Sequence, residues 1–130
     1  MQIIRHILIG FVLGIVVTVS INYAIAEQSG KGAYLVVAGK VIDPEGLEAY
    51  REKAGPVAVE AGIEIFARNN EVTPAHVLEG TWPYEGSLTL ERFDSMQALR
   101  DFWFSESYQE AIKLREGKVH LDFVVAVPGI

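Results

Sequence analysis

Ala33-Tyr34-Leu35-Val36-Val37-Ala38-Gly39-Lys40-Val41-Ile42, followed at once by Asp43-Pro44, sets a β-rich apolar run directly against a helix-start signal. The run is apolar at odd and at even positions, so as a strand it needs cover on both faces. Aspartate caps a helix and proline fits its first turn, so a helix is expected from Asp43-Pro44 onward. Behind it Leu47, Tyr50, Ala54, Val57, Ala58 and Ala61 recur at helical spacing. Gly55-Pro56 interrupts that pattern, and the missing proline N–H predicts a kink or two shorter helices there. Gly62 ends the element, and Ile63 to Arg68 reads as a second strand.

Downstream, Asn69 to Gly86 is irregular, with turn signals at Asn69-Asn70, Thr73-Pro74, Gly80 and Trp82-Pro83 and a short strand expected at Val77-Leu78-Glu79. Ser87 to Phe93 alternates, with Leu88 and Leu90 on one face and Thr89, Glu91 and Phe93 on the other. Asp94 with Gln97 has the form of a capping box. The helix it opens carries Met96, Leu99, Phe102 and Trp103 and is expected to continue past Ser105 through Tyr108, Ile112 and Leu114 to Gly117. His120 to Val127 is the last strand, with Leu121, Phe123, Val125 and Val127 expected on one face. The order β-α-β-β-α-β is the ferredoxin-like arrangement, an α+β sandwich with helices on one face of a four-stranded antiparallel sheet. Apolar residues on both faces of the first and last strands then call for a second sheet, and a homodimer through the open sheet face supplies it.

Upstream, Ile7 to Ala26 is an uncharged run of 20 residues. At 1.5 Å per residue it spans roughly 30 Å, the thickness of the hydrocarbon core of a bilayer. Arg5 and His6 precede it, which places the remainder on the extracytoplasmic side. Ala24-Ile25-Ala26 before Glu27 has the small-x-small form of a signal-peptidase site, so cleavage after Ala26, leaving a soluble exported protein, is one reading. The other is a retained signal-anchor helix. His6, Gly10, Gly14, Thr18, Asn22 and Ala26 form a small or polar ridge with a four-residue period, and Gly10, Gly14 and Thr18 are its candidate packing residues against a second transmembrane helix, of another copy or of a membrane complex. The domains expected are therefore 1–31, anchor and short linker, and 32–130, the ferredoxin-like domain.

Composition narrows the function classes. The 130 residues are 50% hydrophobic and 22% charged, with mean hydropathy +0.23, which excludes a disordered chain. There is no cysteine, so disulfides, thiolate metal sites and cysteine nucleophiles are excluded. The net charge is −6; Arg5 and Lys31 against Glu27 leave residues 1–31 at +1, so residues 32–130 carry −7. An acidic domain without a basic stripe argues against nucleic-acid partners.

The ordered set Tyr34, Asp43-Pro44 with Tyr50, Arg68 at a strand end, Leu78-Glu79-Gly80 with Trp82, Glu91-Arg92-Phe93, Ser105-Glu106-Ser107-Tyr108-Gln109 and Leu114-Arg115-Glu116 resembles the domain-of-unknown-function 1330 family of small dimeric α/β-barrel proteins, over residues 32 to about 130. The chain departs from the family pattern at Asn69-Asn70, where glycines are usual, at Ser107, and in its apolar N-terminal run. The resemblance implies the dimeric ferredoxin-like fold and fixes no activity. Similar dimeric-barrel folds include cofactor-free monooxygenases and lactone isomerases, an analogy of fold alone.

Chemistry is sparse. His76 and Glu79 are three apart in a non-helical stretch, which does not build a metal site, and neither a phosphate loop nor a nucleophile elbow is present, so no metal and no cofactor is expected. Tyr34, Tyr50, Arg68, Glu79, Trp82, Tyr108 and Arg115 are the candidate small-ligand residues: the arginines suit a carboxylate or enolate, and a tyrosine can donate to a developing oxyanion. The competing reading makes Arg68–Glu79 an ion pair that holds the irregular loop, with the aromatics as core edges. Two function classes remain. One is an exported, membrane-anchored accessory or binding protein without catalysis, the working expectation. The alternative is a small cofactor-independent enzyme, isomerase or monooxygenase-like, acting on a small organic acid or ketone.

Overall fold

The structure, a computed structural model, describes residues 31–130. Gly10, Gly14, Thr18 and the rest of the apolar run lie outside the described residues. Among the described residues no helix is long and apolar enough to cross a membrane.

Four strands and three helices follow in the order β1 (Ala33–Val41), α1 (Glu48–Glu60), β2 (Glu64–Arg68), β3 (Ser87–Phe93), α2 (Met96–Trp103), α3 (Glu106–Leu114) and β4 (Val119–Pro128). The sheet is antiparallel with strand order β2-β3-β1-β4, so the apolar β1 is central. Side chains alternate across it. Ala33 and Leu35 of β1 and Phe93 of β3 join Ala54 of α1, Leu99 and Phe102 of α2, and Tyr108 and Ala111 of α3 in the buried core. The opposite face, carrying Tyr34, Val36 and Leu90, has no helix over it.

The chain departs from the expectations set by its sequence in six places. Asp43-Pro44 opens a turn, and α1 begins at Glu48. The Asp43 carboxylate accepts the Gly46 N–H at 2.9 Å, while the N–H groups of Ile42 and Asp43 donate to the Lys118 carbonyl at 2.8 and 3.1 Å. These bonds tie the segment to the start of β4 and delay the helix. Pro56 sits inside an unbroken α1. Glu52, Gly55 and Pro56 are all exposed, so the carbonyl that proline leaves unbonded faces water, and Gly55 relieves the clash proline makes with its predecessor. The capping residue of α2 is Ser95, one residue after Asp94, its hydroxyl accepting the Ala98 N–H at 3.0 Å; Gln97 instead donates to Asp101 at 2.8 Å.

The expected single helix from Met96 to Leu114 breaks at Phe104-Ser105. Ser105 is N-cap of α3: its hydroxyl accepts the Tyr108 N–H at 3.3 Å and donates to the Phe102 carbonyl at 2.7 Å. A serine offered both partners stabilises a break more than continued helix. Finally, a register shift between Ala38 and Gly39 puts Leu121 opposite Gly39, whereas Phe123 opposes Ala38. Phe123, Val125 and Val127 therefore share the open face, while Leu121 turns to the helical side. No Cβ would fit at Gly39, where the His120 carbonyl would lie at 2.6 Å. Val77-Leu78-Glu79 is loop, with Leu78 at 96% exposure.

Candidate functional site

α1 packs along α3 and makes little close backbone approach to the strands. The Lys53 ammonium donates to the Glu110 carboxylate at 2.7 Å across the pair, which holds that carboxyl below its ordinary value. The gap between α1 and the sheet is a cleft of about 640 Å³. Leu35 and Val37 of β1, Ile65 of β2, Ala54 and Ala58 of α1, and Phe102 and Trp103 of α2 form its apolar walls. Its polar lining includes Tyr50, Tyr108, Arg68, Arg115, Thr89 and Glu91, together with Lys40, Arg51 and Ser87.

These groups include two hydrogen-bonded sets, Tyr108–Tyr50–Arg115 and Arg68–Thr89. The Tyr50 and Tyr108 hydroxyls lie 3.2 Å apart, and Arg115 donates to the Tyr50 hydroxyl at 3.5 Å. The Arg115 guanidinium lies over the Tyr50 ring at 5.4 Å and over Trp103 at 6.0 Å, which fixes its position by cation–π attraction. Tyr108 is buried, with its ring centroid 4.1 Å from Phe102 and 5.5 Å from Trp103. Burial first, then the neighbouring Tyr50, push its hydroxyl well above the ordinary phenol range, so it stays protonated. Arg68, at the exposed end of β2, donates from Nε to the Thr89 hydroxyl at 3.1 Å.

Glu91 projects from β3 to the helical side. Burial raises its carboxyl above the ordinary value; the charges of Arg68 and Arg115 oppose that rise without cancelling it. A half-buried carboxyl with a perturbed affinity for protons, in a cleft, marks a candidate functional site.

Four of the seven candidate residues, Tyr50, Arg68, Tyr108 and Arg115, thus line one cleft. The other three do not. Tyr34 is on the open face, its ring 5.9 Å from Phe66. Trp82 lines a shallower hollow of about 400 Å³ between the 69–86 loop and the open face, which shares only Arg68 with the cleft. Glu79 is exposed in that loop, and the ion pairs among the described residues do not include Arg68–Glu79. Glu91 was absent from the sequence-based candidates. Its signal was parity with Phe93: a glutamate two residues from a core phenylalanine, on an inner strand, faces the core side. Among the described residues, no group of three or more His, Asp or Glu could hold a metal ion.

The family model described as domain of unknown function (DUF1330) matches residues 32–130. The chain belongs to that family. Among solved structures, a protein of unknown function from Rhodopseudomonas palustris is similar at 16% identity and TM-score 0.54, over 76% of this chain and 81% of that one. Below it stand a conserved protein of unknown function from Bacteroides thetaiotaomicron (10% identity, TM-score 0.49, 76% and 98% covered) and a dimeric ferredoxin-like protein of unknown function from Bacteroides fragilis (12%, 0.42, 76% and 94%). At these identities the likeness is one of fold. No curated protein matches the chain.

Proposed function

We propose that the DUF1330 domain of this chain binds a small organic acid or ketone with an apolar body in the cleft between α1 and the sheet. The observation that carries this is the pairing of an open, apolar-walled cleft with two guanidinium groups and two phenols converging on its interior. Pockets of a few hundred Å³ with apolar walls and a few convergent polar groups are the usual shape of small-molecule sites. Trp103 in the wall supplies a fluorescent reporter. Titrating the full chain, in detergent, with 4-methyl-2-oxopentanoate and with an isosteric neutral ketone tests the reading. The acid is expected to bind tighter, and Arg115→Gln to weaken it by about ten- to a hundredfold, the loss of one charged hydrogen bond. Equal, unsaturable signals for both probes refute it.

The site belongs, in this reading, to an exported protein held at the membrane by residues 7–26, with Gly10, Gly14 and Thr18 packed on a second transmembrane helix. Support comes from the 20-residue uncharged run and its four-residue ridge. A mature amino terminus at Glu27 would remove the anchor. Gly10→Ile with Gly14→Ile is expected to leave export unchanged and to weaken co-purification of differently tagged copies or of a membrane partner. The open sheet face is the proposed homodimer contact: Phe66, Val125 and Val127 are 59%, 44% and 43% exposed, and Val36, Leu90 and Phe123 lie beside them. Light scattering that shows a monomer excludes it.

A further inference from the structure

The Glu91 carboxylate is the one acidic group in the cleft lining, and no side chain bonds to it. Among the described residues it makes no hydrogen bond and no ion pair, although the guanidinium groups of Arg68 and Arg115 share the cavity and their charges act on it. On the surface, by contrast, the carboxylates of Glu48, Glu64, Glu85 and Glu110 each meet a lysine or arginine. Arg115 is engaged with the Tyr50 hydroxyl and ring, and Arg68 with Thr89, so neither neutralises Glu91 by contact. A free base therefore stands opposite a set of donors that are already oriented.

The donor count gives those groups a direction. A phenol carries one proton and two lone pairs. The Tyr50 oxygen accepts from Arg115 and, when Tyr108 donates to it, from Tyr108 as well; its own proton is then left to point into the cleft. Tyr108 stays neutral, as its burial requires. An oxygen placed there receives the Tyr50 hydroxyl and a remaining Arg115 N–H, the arrangement that stabilises a developing oxyanion. Arg68 is exposed and Arg115 half-buried, so a ligand carboxylate fits at Arg68, near the mouth, and a ligand ketone at Arg115 and Tyr50, deeper in.

We propose that the cleft enolises 2-oxo acids with an apolar side chain, Glu91 acting as the general base. This rests on the binding reading above. A Glu91 oxygen takes a proton from the carbon beside the ketone. The C–H electron pair becomes the C=C bond and the carbonyl π pair moves to oxygen, giving an enolate held by Arg115 and Tyr50. Glu91 then returns the proton to carbon, or passes it to the enolate oxygen. The step consumes no oxidant and no reductant, and the apolar chain lies along Leu35, Val37, Ala54 and Ala58.

The test uses the full chain in detergent with 4-methyl-2-oxopentanoate in D₂O. Proton NMR follows loss of the methylene signal beside the ketone, and Trp103 fluorescence follows binding in parallel. Wild type is expected to exchange that methylene about 10²- to 10⁴-fold faster than Glu91→Gln, the range a positioned base contributes. Glu91→Gln should keep its circular dichroism and bind the acid at least as tightly. Glu91→Asp, which draws the carboxylate back by one methylene, should exchange at an intermediate rate. If the acid binds and wild type exchanges no faster than buffer, or Glu91→Gln exchanges as fast as wild type, the base assignment is overturned and the binding reading stands. If the acid does not bind wild type, both fall.

Discussion

The Tyr50–Tyr108 hydrogen bond predicts an asymmetric pair of substitutions. Tyr108→Phe removes one hydroxyl and keeps the ring, with its packing 4.1 Å from Phe102 and 5.5 Å from Trp103. The Tyr50 oxygen keeps its Arg115 N–H at 3.5 Å, so nothing is orphaned, and the expected loss is that of one ordinary hydrogen bond, about 1 kcal/mol. Tyr50→Phe leaves the other hydroxyl, on a side chain only 5% exposed, without its partner. A buried unsatisfied group costs about 1–3 kcal/mol, so this variant should be the weaker of the two. Replacing both removes donor and acceptor together, which is close to neutral, and the double variant should cost less than the sum of the singles. In a domain of this size about 1 kcal/mol moves Tm by about 4–8 °C, so thermal melts followed by circular dichroism resolve all three. Equal single losses that add to within about 0.3–0.5 kcal/mol would show that the bond is not formed in solution, and with it the argument for a free Tyr50 proton would fail.

Three further outcomes follow from single positions. Glu91 binds its proton more readily folded than unfolded, so its contribution to stability is whole below the ordinary carboxylate value of 4.5 and is lost as pH rises through the folded value. Glu91→Gln should therefore melt higher than wild type at pH 7, with the gap closing below pH 4.5; a gap that widens on acidification refutes the assignment. Ser105→Ala removes the α3 cap and is expected to destabilise by about 1 kcal/mol, read as a lower denaturant midpoint. Gly86→Ala puts a Cβ into the Gly39 carbonyl at the β1–β3 end, an overlap with backbone that cannot rotate away, so it should cost more than the 1–3 kcal/mol typical of overpacked side chains; a melt within a degree of wild type contradicts that packing.

All four strands were legible in the sequence, and Ser87–Phe93 keeps the bounds its alternation implies, because an inner strand must bury one side chain in two. What the pattern could not carry was any event that changes phase without changing composition. The shift at Ala38/Gly39 moves Leu121 to the other face although the residues around it still alternate. The break at Ser105 depends on a hydroxyl finding both the Phe102 carbonyl and the Tyr108 N–H, which no helical spacing encodes. The site shows the same division. Choosing arginines and aromatics by type gathered Tyr50, Arg68, Tyr108 and Arg115 with Tyr34, Glu79 and Trp82, although parity already separates Tyr34 from the core residues Ala33 and Leu35. Parity also puts Glu91 on the same side as Phe93, so the strongest candidate base was readable from its strand position and hidden by its residue type.

The irregular positions are the ones that make the cleft. Because Asp43 spends its carboxylate on Gly46, α1 starts late, at Glu48, and its Tyr50 and Lys53 meet Tyr108 and Glu110 of α3 instead of β-strand side chains. Because Ser105 breaks the second helical stretch, Tyr108 comes back onto Phe102 and Trp103, and Arg115, at the C-cap of α3, lands over Tyr50 and Trp103. Because of the register shift, Leu121 faces the same cavity. The sheet is thereby left with apolar side chains that no helix covers, Ile65 among them at 56% exposure, with Val59 of α1 at 81% on the cleft's other side. Fully burying one such side chain is worth about 1.5–3 kcal/mol, so a chain selected for stability alone would close this gap with larger residues than Ala54 and Ala58. In the proposed function, a molecule that covers two or three of those side chains would recover that energy as affinity, with Arg68 and Arg115 setting its charge. Local order that yields at one place in the fold, and there gathers a carboxyl that no side chain bonds, is the pattern expected where function competes with packing, and it is the ground for the binding site proposed above.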